Sequence, residues 1–296
     1  MRDIRSDFPV FTAHPELVYL DSTSTTQKPA TVIDRQAEYL RSSYANIHRG
    51  AYSLSEQSES LYTASKQAVV SLVGAASPSE IIYTANSTSA VNLLTLSLTR
   101  SGWLERGDRI ILSILEHHAN IVPWQIAAET LGLEIVWVPI TPEYELDMDA
   151  FRELLTPNTR VVSITGASNV TGTVPDWAMI SSLVRTHEQV SSRKIYLVMD
   201  ASQVVPHMTL DVQALDLDYM FFTGHKLYAD SGIGVLYGKR DLLKSMTPGL
   251  SGGGAINWVS ETGFEPAGLP YRYEAGTPNM SGAVSLLTAI EYIEGL

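Results

Sequence analysis

Lys226 closes the turn Thr223-Gly224-His225-Lys226 directly after the apolar run Tyr219-Met220-Phe221-Phe222, and Asp200 directly follows the run Ile195-Tyr196-Leu197-Val198-Met199. Each residue is therefore expected at the C-terminal end of a buried strand, the edge at which open α/β sheets bind ligands. An ammonium group in such a place needs a partner or a depressed pKa, because burial disfavours its charged form. Two readings of the pair are open at this point. One is a plain buried ion pair. The other is a Schiff-base lysine that attaches pyridoxal phosphate, with Asp200 keeping the pyridine nitrogen protonated so that the ring draws electrons.

Three further residues favour the second reading, since each also follows an apolar run. His117 lies in Glu116-His117-His118 after Ile110 to Leu115, Asn169 follows Val161 to Thr165, and Gln203 lies three residues beyond Asp200. A flat imidazole and two amides suit a planar ring and its phenolic oxygen. Ser87 and Thr88 open a predicted helix, and helix N-termini bind phosphate through free N–H groups. Thr223 and His225 flank Lys226 and complete a phosphate cup. A metal site is not expected. Adjacent His117 and His118 point to opposite faces of an extended segment, and no His-Glu-x-x-His pattern is present.

The elements that must position these residues alternate short β-branched runs with longer amphipathic stretches, the pattern of an α/β fold. Strands are predicted at 80–84, 109–114, 134–139, 160–165, 195–199, 219–222 and 233–237. Several are continuously apolar, as strands covered on both faces should be. Helices are predicted at 88–100, 120–131, 148–155 and 176–188, preceded by two at 30–43 and 55–73 and followed by one from 282 to the last residue. The stretch from 248 to 254 is glycine-rich and is expected to be loop.

The chain has 296 residues, 45% of them apolar, enough for a substantial core. A net charge of −12 argues against nucleic acid as a partner. With no cysteine there is neither a disulfide nor a thiolate nucleophile or ligand. The N-terminus carries no apolar signal-type stretch and no run of eighteen apolar residues occurs, so a cytoplasmic protein with no membrane span is expected. Two motifs are discounted. Gly249-Leu250-Ser251-Gly252-Gly253 matches a nucleophile elbow but follows Thr247-Pro248 and not a strand, and Gly232, Gly234 and Gly238 lack dinucleotide-fingerprint spacing.

Seven segments together resemble the class V aminotransferase group of pyridoxal-phosphate enzymes, and within it the SufS-like cysteine desulfurases and selenocysteine lyases. They are Val18 to Ser22, Asn46 to Gly50, Glu116 to Gln125, Ser168 to Gly172, Asp200 to Gln203, Thr223 to Tyr228 and Arg272 to Asn279. The resemblance implies a fold type I large domain, with a mostly parallel mixed sheet and helices on both faces. It also implies Lys226 as the cofactor lysine, Asp200 on the pyridine nitrogen, His117 stacked on the ring, and Asn169 and Gln203 facing the ring hydroxyl and substrate. Ser87, Thr88, Thr223 and His225 would bind the phosphate, with Thr277 donated by the second subunit of a homodimer. His48 and Arg49 match an active-site loop that meets the substrate.

Departures from the family pattern accompany the matches. Ala85-Asn86-Ser87-Thr88-Ser89 stands where an Arg-Gly-Thr-Thr-Glu loop is usual, and Ala229-Asp230 replaces a customary Gly-Pro. Relatives of this kind continue into a C-terminal small domain that supplies the sulfur-accepting cysteine and a carboxylate-binding arginine. The expected layout is an arm over 1–30, a cofactor-binding large domain over 31–280, and over 281–296 the start of a small domain otherwise absent. The expected activity is removal of sulfur from L-cysteine to give L-alanine, with a small amino acid as substrate and a sulfur-acceptor protein as a further partner. Two alternatives stay open: another lyase or epimerase-like enzyme using the same cofactor, and a non-catalytic dimerising paralogue.

Overall fold

The structure, a computed structural model, describes residues 4–47, 50 and 52–296. Helices α1 (Pro9–Ala13), α2 (Ala30–Ser42) and α3 (Ser53–Val73) precede the sheet. Then β1 (Ile81–Thr84), α4 (Ser87–Arg100), β2 (Arg109–Ser113), α5 (Val122–Leu131), β3 (Glu134–Val138), α6 (Met148–Leu154), β4 (Thr159–Thr165), α7 (Trp177–Ser191) and β5 (Tyr196–Asp200) alternate strand with helix. The chain continues through β6 (Tyr219–Thr223), β7 (Gly234–Gly238), α8 (Arg240–Ser245), β8 (Ile256–Val259), β9 (Phe264–Pro266) and α9 (Met280–Glu294).

Seven strands form one sheet in the order β1-β7-β6-β5-β4-β2-β3. Only β7 runs against its neighbours, so the C-terminal ends of β1, β2, β4, β5 and β6 share one edge. Strands β5 and β6 are buried along their whole length. Their apolar runs are unbroken because each face meets its own core. Leu197, Met199, Met220 and Phe222 pack on the side that also receives α9, while Tyr196, Val198, Tyr219 and Phe221 pack on the side of α4. Period-two alternation thus distributes one apolar run between two cores.

All seven predicted strands form, with ends displaced by about one residue, as expected of fraying boundaries. The helix expected from residue 120 instead begins at Val122, after a 3-10 turn over His118–Asn120. Pro123 lacks an N–H and is suited to the first turn of a helix, not its interior. Helix α9 packs on α2 and α3 and buries Ala283, Leu286, Ala289 and Ile290 in the first core. Helices α1 and α8 and the β8–β9 hairpin went unread in the sequence. In the hairpin Trp258, Val259 and Phe264 are exposed, so no burial alternation marks it. No helix among the described residues is long and apolar enough to cross a membrane.

Candidate active site

The shared strand edge opens into a cleft of about 810 Å³, within the range of roughly 300–1,000 Å³ typical of small-ligand sites. Lys226, Asp200, His117, Asn169 and Gln203 all line it, as do Ser87, Thr88, Thr223 and His225. Residues drawn from five strand ends in the sequence therefore meet at one place. Thr277 does not reach this cleft and is exposed on the segment before α9. His48 and Arg49 lie outside the described residues.

Asp200 ends β5 and is buried, and one carboxylate oxygen accepts the Ser202 N–H at 3.0 Å. Burial pushes its carboxyl above the ordinary value, opposed by that N–H and by the charges of Lys226 and His117. Lys226 lies in the short turn after β6. Burial lowers its amine below the ordinary lysine value, and the Asp200 charge opposes this. The plain ion-pair reading is corrected by the distance: among the described residues the Lys226 Nζ makes no hydrogen bond and no ion pair within 4.0 Å. The two groups sense each other across the cleft without touching.

His117 follows β2 and caps the His118–Asn120 turn, its Nδ1 accepting the Ala119 N–H at 3.1 Å. That contact leaves Nε2 to carry the proton of the neutral ring. Burial lowers the imidazole pKa, with Asp200 opposing and Lys226 assisting, so the ring is neutral near pH 7. Gln203 spends one amide N–H on the Thr23 carbonyl at 2.9 Å.

The phosphate end has its own construction. Asn86 caps α4 by accepting the Ser89 N–H at 2.9 Å, which aims the helix N-terminus into the cleft. A Cβ on Gly234 would meet the Asn86 Cα at 2.5 Å, so β7 can pass this loop only as glycine. The Thr223 hydroxyl is buried beside it with no partner among the described residues. Buried hydroxyls normally find one, and an anion received by α4 would supply it. The departures from the family pattern are absorbed locally. Asn86 serves as the helix cap, while Asp230 donates its N–H to the Ser285 hydroxyl at 2.7 Å and accepts from Gln36 at 3.0 Å.

A stretch missed by sequence reasoning crosses the cleft. Thr23, Ser24 and Thr25 line it. The His225 carbonyl accepts from the Thr26 N–H at 3.1 Å, the Thr26 hydroxyl at 2.9 Å and Lys28 Nζ at 3.0 Å. The Thr26 hydroxyl also receives the N–H of Tyr228, whose φ of 62° is left-handed. The arm thus fixes the turn that carries Lys226. Its only sequence signal is the run of hydroxyl residues from Ser22 to Thr26. Among the described residues no cluster of three or more His, Asp or Glu side chains could hold a metal ion.

A mostly parallel sheet covered on both faces, with a polar ligand cleft at its carboxyl edge, defines an α/β protein of the fold type I class. The chain belongs to the Aminotransferase class-V family, whose profile matches residues 18–296. It is 45% identical to a probable cysteine desulfurase of Vibrio cholerae over 99% of this chain and 72% of that protein. It is 42% identical to a cysteine desulfurase of Pectobacterium atrosepticum over 99% of this chain and 71% of that one. Among solved structures, the cysteine desulfurase CsdA of Escherichia coli superposes with a TM-score of 0.89 at 35% identity, covering 99% of this chain and 71% of that chain. The cysteine desulfurase of Thermococcus onnurineus superposes with a TM-score of 0.92 at 33% identity, covering 100% of this chain and 72% of that chain.

Proposed function

We propose that this chain is a pyridoxal-phosphate-dependent cysteine desulfurase, taking sulfur from L-cysteine and leaving L-alanine, with Lys226 as the lysine that carries the cofactor. The observation that carries the reading is the Lys226 amine, without a hydrogen bond or ion pair among the described residues, facing buried Asp200 in the same cleft as a Thr223 hydroxyl that has no partner among them. When bound, pyridoxal phosphate supplies a pyridinium ring that withdraws electrons from the substrate's Cα and weakens its Cβ–S bond.

The residues divide that work by position. Lys226, with its amine pKa lowered by burial, would hold the cofactor and then move the Cα proton. Asp200 would hold a proton at the ring nitrogen. His117, fixed through Nδ1, would cover the ring face, and Asn169 and Gln203, which line the same cleft, would face the ring hydroxyl and substrate. Ser87, Thr88, Thr223 and His225, which line the cleft at the start of α4, would surround the phosphate.

Because the 296 residues include no cysteine, the thiol that receives sulfur comes from outside them. A homodimer in which exposed Thr277 reaches the partner's phosphate, a substrate loop containing His48 and Arg49, a sulfur-acceptor protein and residence in the cytoplasm belong to the same proposal. The test is to incubate the purified chain with pyridoxal phosphate, reduce with borohydride and map the adduct by peptide mass spectrometry. An adduct on Lys226 that is lost in Lys226→Ala is expected. Its absence would overturn the catalytic reading and favour the non-catalytic paralogue.

A further inference from the structure

Glu116 immediately precedes His117 yet does not line the cleft. Its carboxyl group is buried among three donors: the Ser113 hydroxyl, the Thr165 N–H at 2.8 Å and the Asn120 amide at 2.7 Å. Ser113 ends β2, Thr165 ends β4 beside Asp200, and Asn120 closes the turn that carries His117. One carboxyl group therefore ties two strand ends to the imidazole's own support.

The amide of Asn120 has no freedom to turn. The Trp124 Nε1–H can only donate, and it reaches the Asn120 Oδ1 at 3.0 Å, where the Ser163 hydroxyl also donates at 2.7 Å. The Asn120 Nδ2 must then face Glu116. The same turn holds His117 at two points, through the Asn120 N–H to its carbonyl at 2.8 Å and the Ala119 N–H to its ring at 3.1 Å. A buried carboxyl group that makes no ion pair among the described residues is costly to retain. Nothing in the activity derived above uses it.

We propose that Glu116 is a positioning residue for His117: it sets the height and tilt of the imidazole over the cleft, and through it the tightness with which a flat aromatic ligand is held. The proposal rests on the reading of His117 as the residue that covers the ring.

Glu116→Gln keeps the size of the side chain, but whichever way its amide lies, the NH2 meets an N–H from either Asn120 or Thr165. The experiment titrates the full chain with pyridoxal phosphate, following the dissociation constant and the visible circular dichroism that a fixed ring orientation produces. It is run in the wild-type and His117→Ala backgrounds. Glu116→Gln is expected to weaken binding roughly tenfold and to diminish the dichroic band when His117 is present, and to weaken it less than about twofold when His117 is absent, the signature of coupled neighbours. Ser113→Ala, which removes one donor to Glu116 and the oxygen that accepts the Leu115 N–H at 3.2 Å, carries the same test should Glu116→Gln fail to fold, with an expected loss of roughly twofold to threefold. An equal loss in both backgrounds, or no loss in a folded variant, overturns the proposal.

Should wild-type chain bind no pyridoxal phosphate, it is the functional reading that fails, and the positioning is then measured without ligand. The imidazole C–H resonance of His117 is expected to shift in Glu116→Gln. An unmoved resonance overturns the proposal in that case too.

Discussion

Lys66 on α3 and Glu274, eight residues past β9, form an ion pair whose side chains are 3% and 5% exposed, with Nζ 2.5 Å from Oε1. The Glu274 carboxylate also accepts the Tyr62 hydroxyl at 2.8 Å and the Tyr83 N–H at 2.6 Å, and Lys66 donates to the Ile81 carbonyl at 2.7 Å. Lys66→Met leaves a buried carboxylate with two neutral donors. Removing one member of such a pair costs about 3–5 kcal/mol, and the surviving donors place this case near 3. Glu274→Gln strands the ammonium instead. Burial already lowers the Lys66 pKa, and Glu274 is what opposes that, so in the variant the pKa falls further below 10.5. The unfolded chain then holds a proton that the folded chain has released, so the stability of Glu274→Gln rises with pH through the alkaline range. Lys66→Met/Glu274→Gln, which buries no charge, is expected to be more stable than Lys66→Met alone. Urea unfolding followed by far-ultraviolet dichroism, near pH 7 and again near pH 9.5, reads all three variants. A cost below about 1 kcal/mol for Lys66→Met, or a double variant as costly as the sum of the singles, would refute the reasoning.

Other outcomes follow from the cleft. Asp200→Asn removes the charge that raises the Lys226 pKa, so the pH midpoint for acylation of Lys226 in the ligand-free chain should fall; an unchanged or higher midpoint contradicts the coupling. Thr223→Val deletes a buried hydroxyl that has no partner among the described residues, and should leave the ligand-free chain as stable or about 1 kcal/mol more so while weakening pyridoxal phosphate binding. A loss of stability without loss of binding would count against its phosphate role. Lys28 is lowered to about 8 by burial, with Asp230 opposing. Between about 8 and 10.5 the unfolded chain retains the proton that the folded chain has lost, so stability gains with rising pH across that window. The group is only partly buried, so the gain is screened by solvent, and Lys28→Met should flatten that part of the denaturant midpoint against pH. Gly234→Ala would press a Cβ against the Asn86 backbone, and binding of pyridoxal phosphate should weaken more than global stability does.

Much of the site was legible because its residues follow strands. Burial on both faces makes β5 and β6 continuously apolar, so Asp200 and the turn containing Lys226 announce themselves where those runs stop. The same logic found His117 and Asn169. The β8–β9 hairpin escaped it because its large residues are exposed and show no periodicity. Glu116 escaped it because a carboxyl next to two histidines reads locally as polar surface, whereas its partners Ser113 and Thr165 lie on separate strands.

Local pattern, burial and turn chemistry therefore determined which segments are strands and helices, and which side chains stand at strand ends. The tertiary structure alone decided the strand order, the separation of Lys226 from Asp200, the missing partner of the Thr223 hydroxyl and the passage of Thr23 to Thr26 over the lysine turn. The physical reason is distance along the chain. Thr26 and His225 are 199 residues apart, and no local preference encodes a hydrogen bond that exists only after both cores have closed around the sheet.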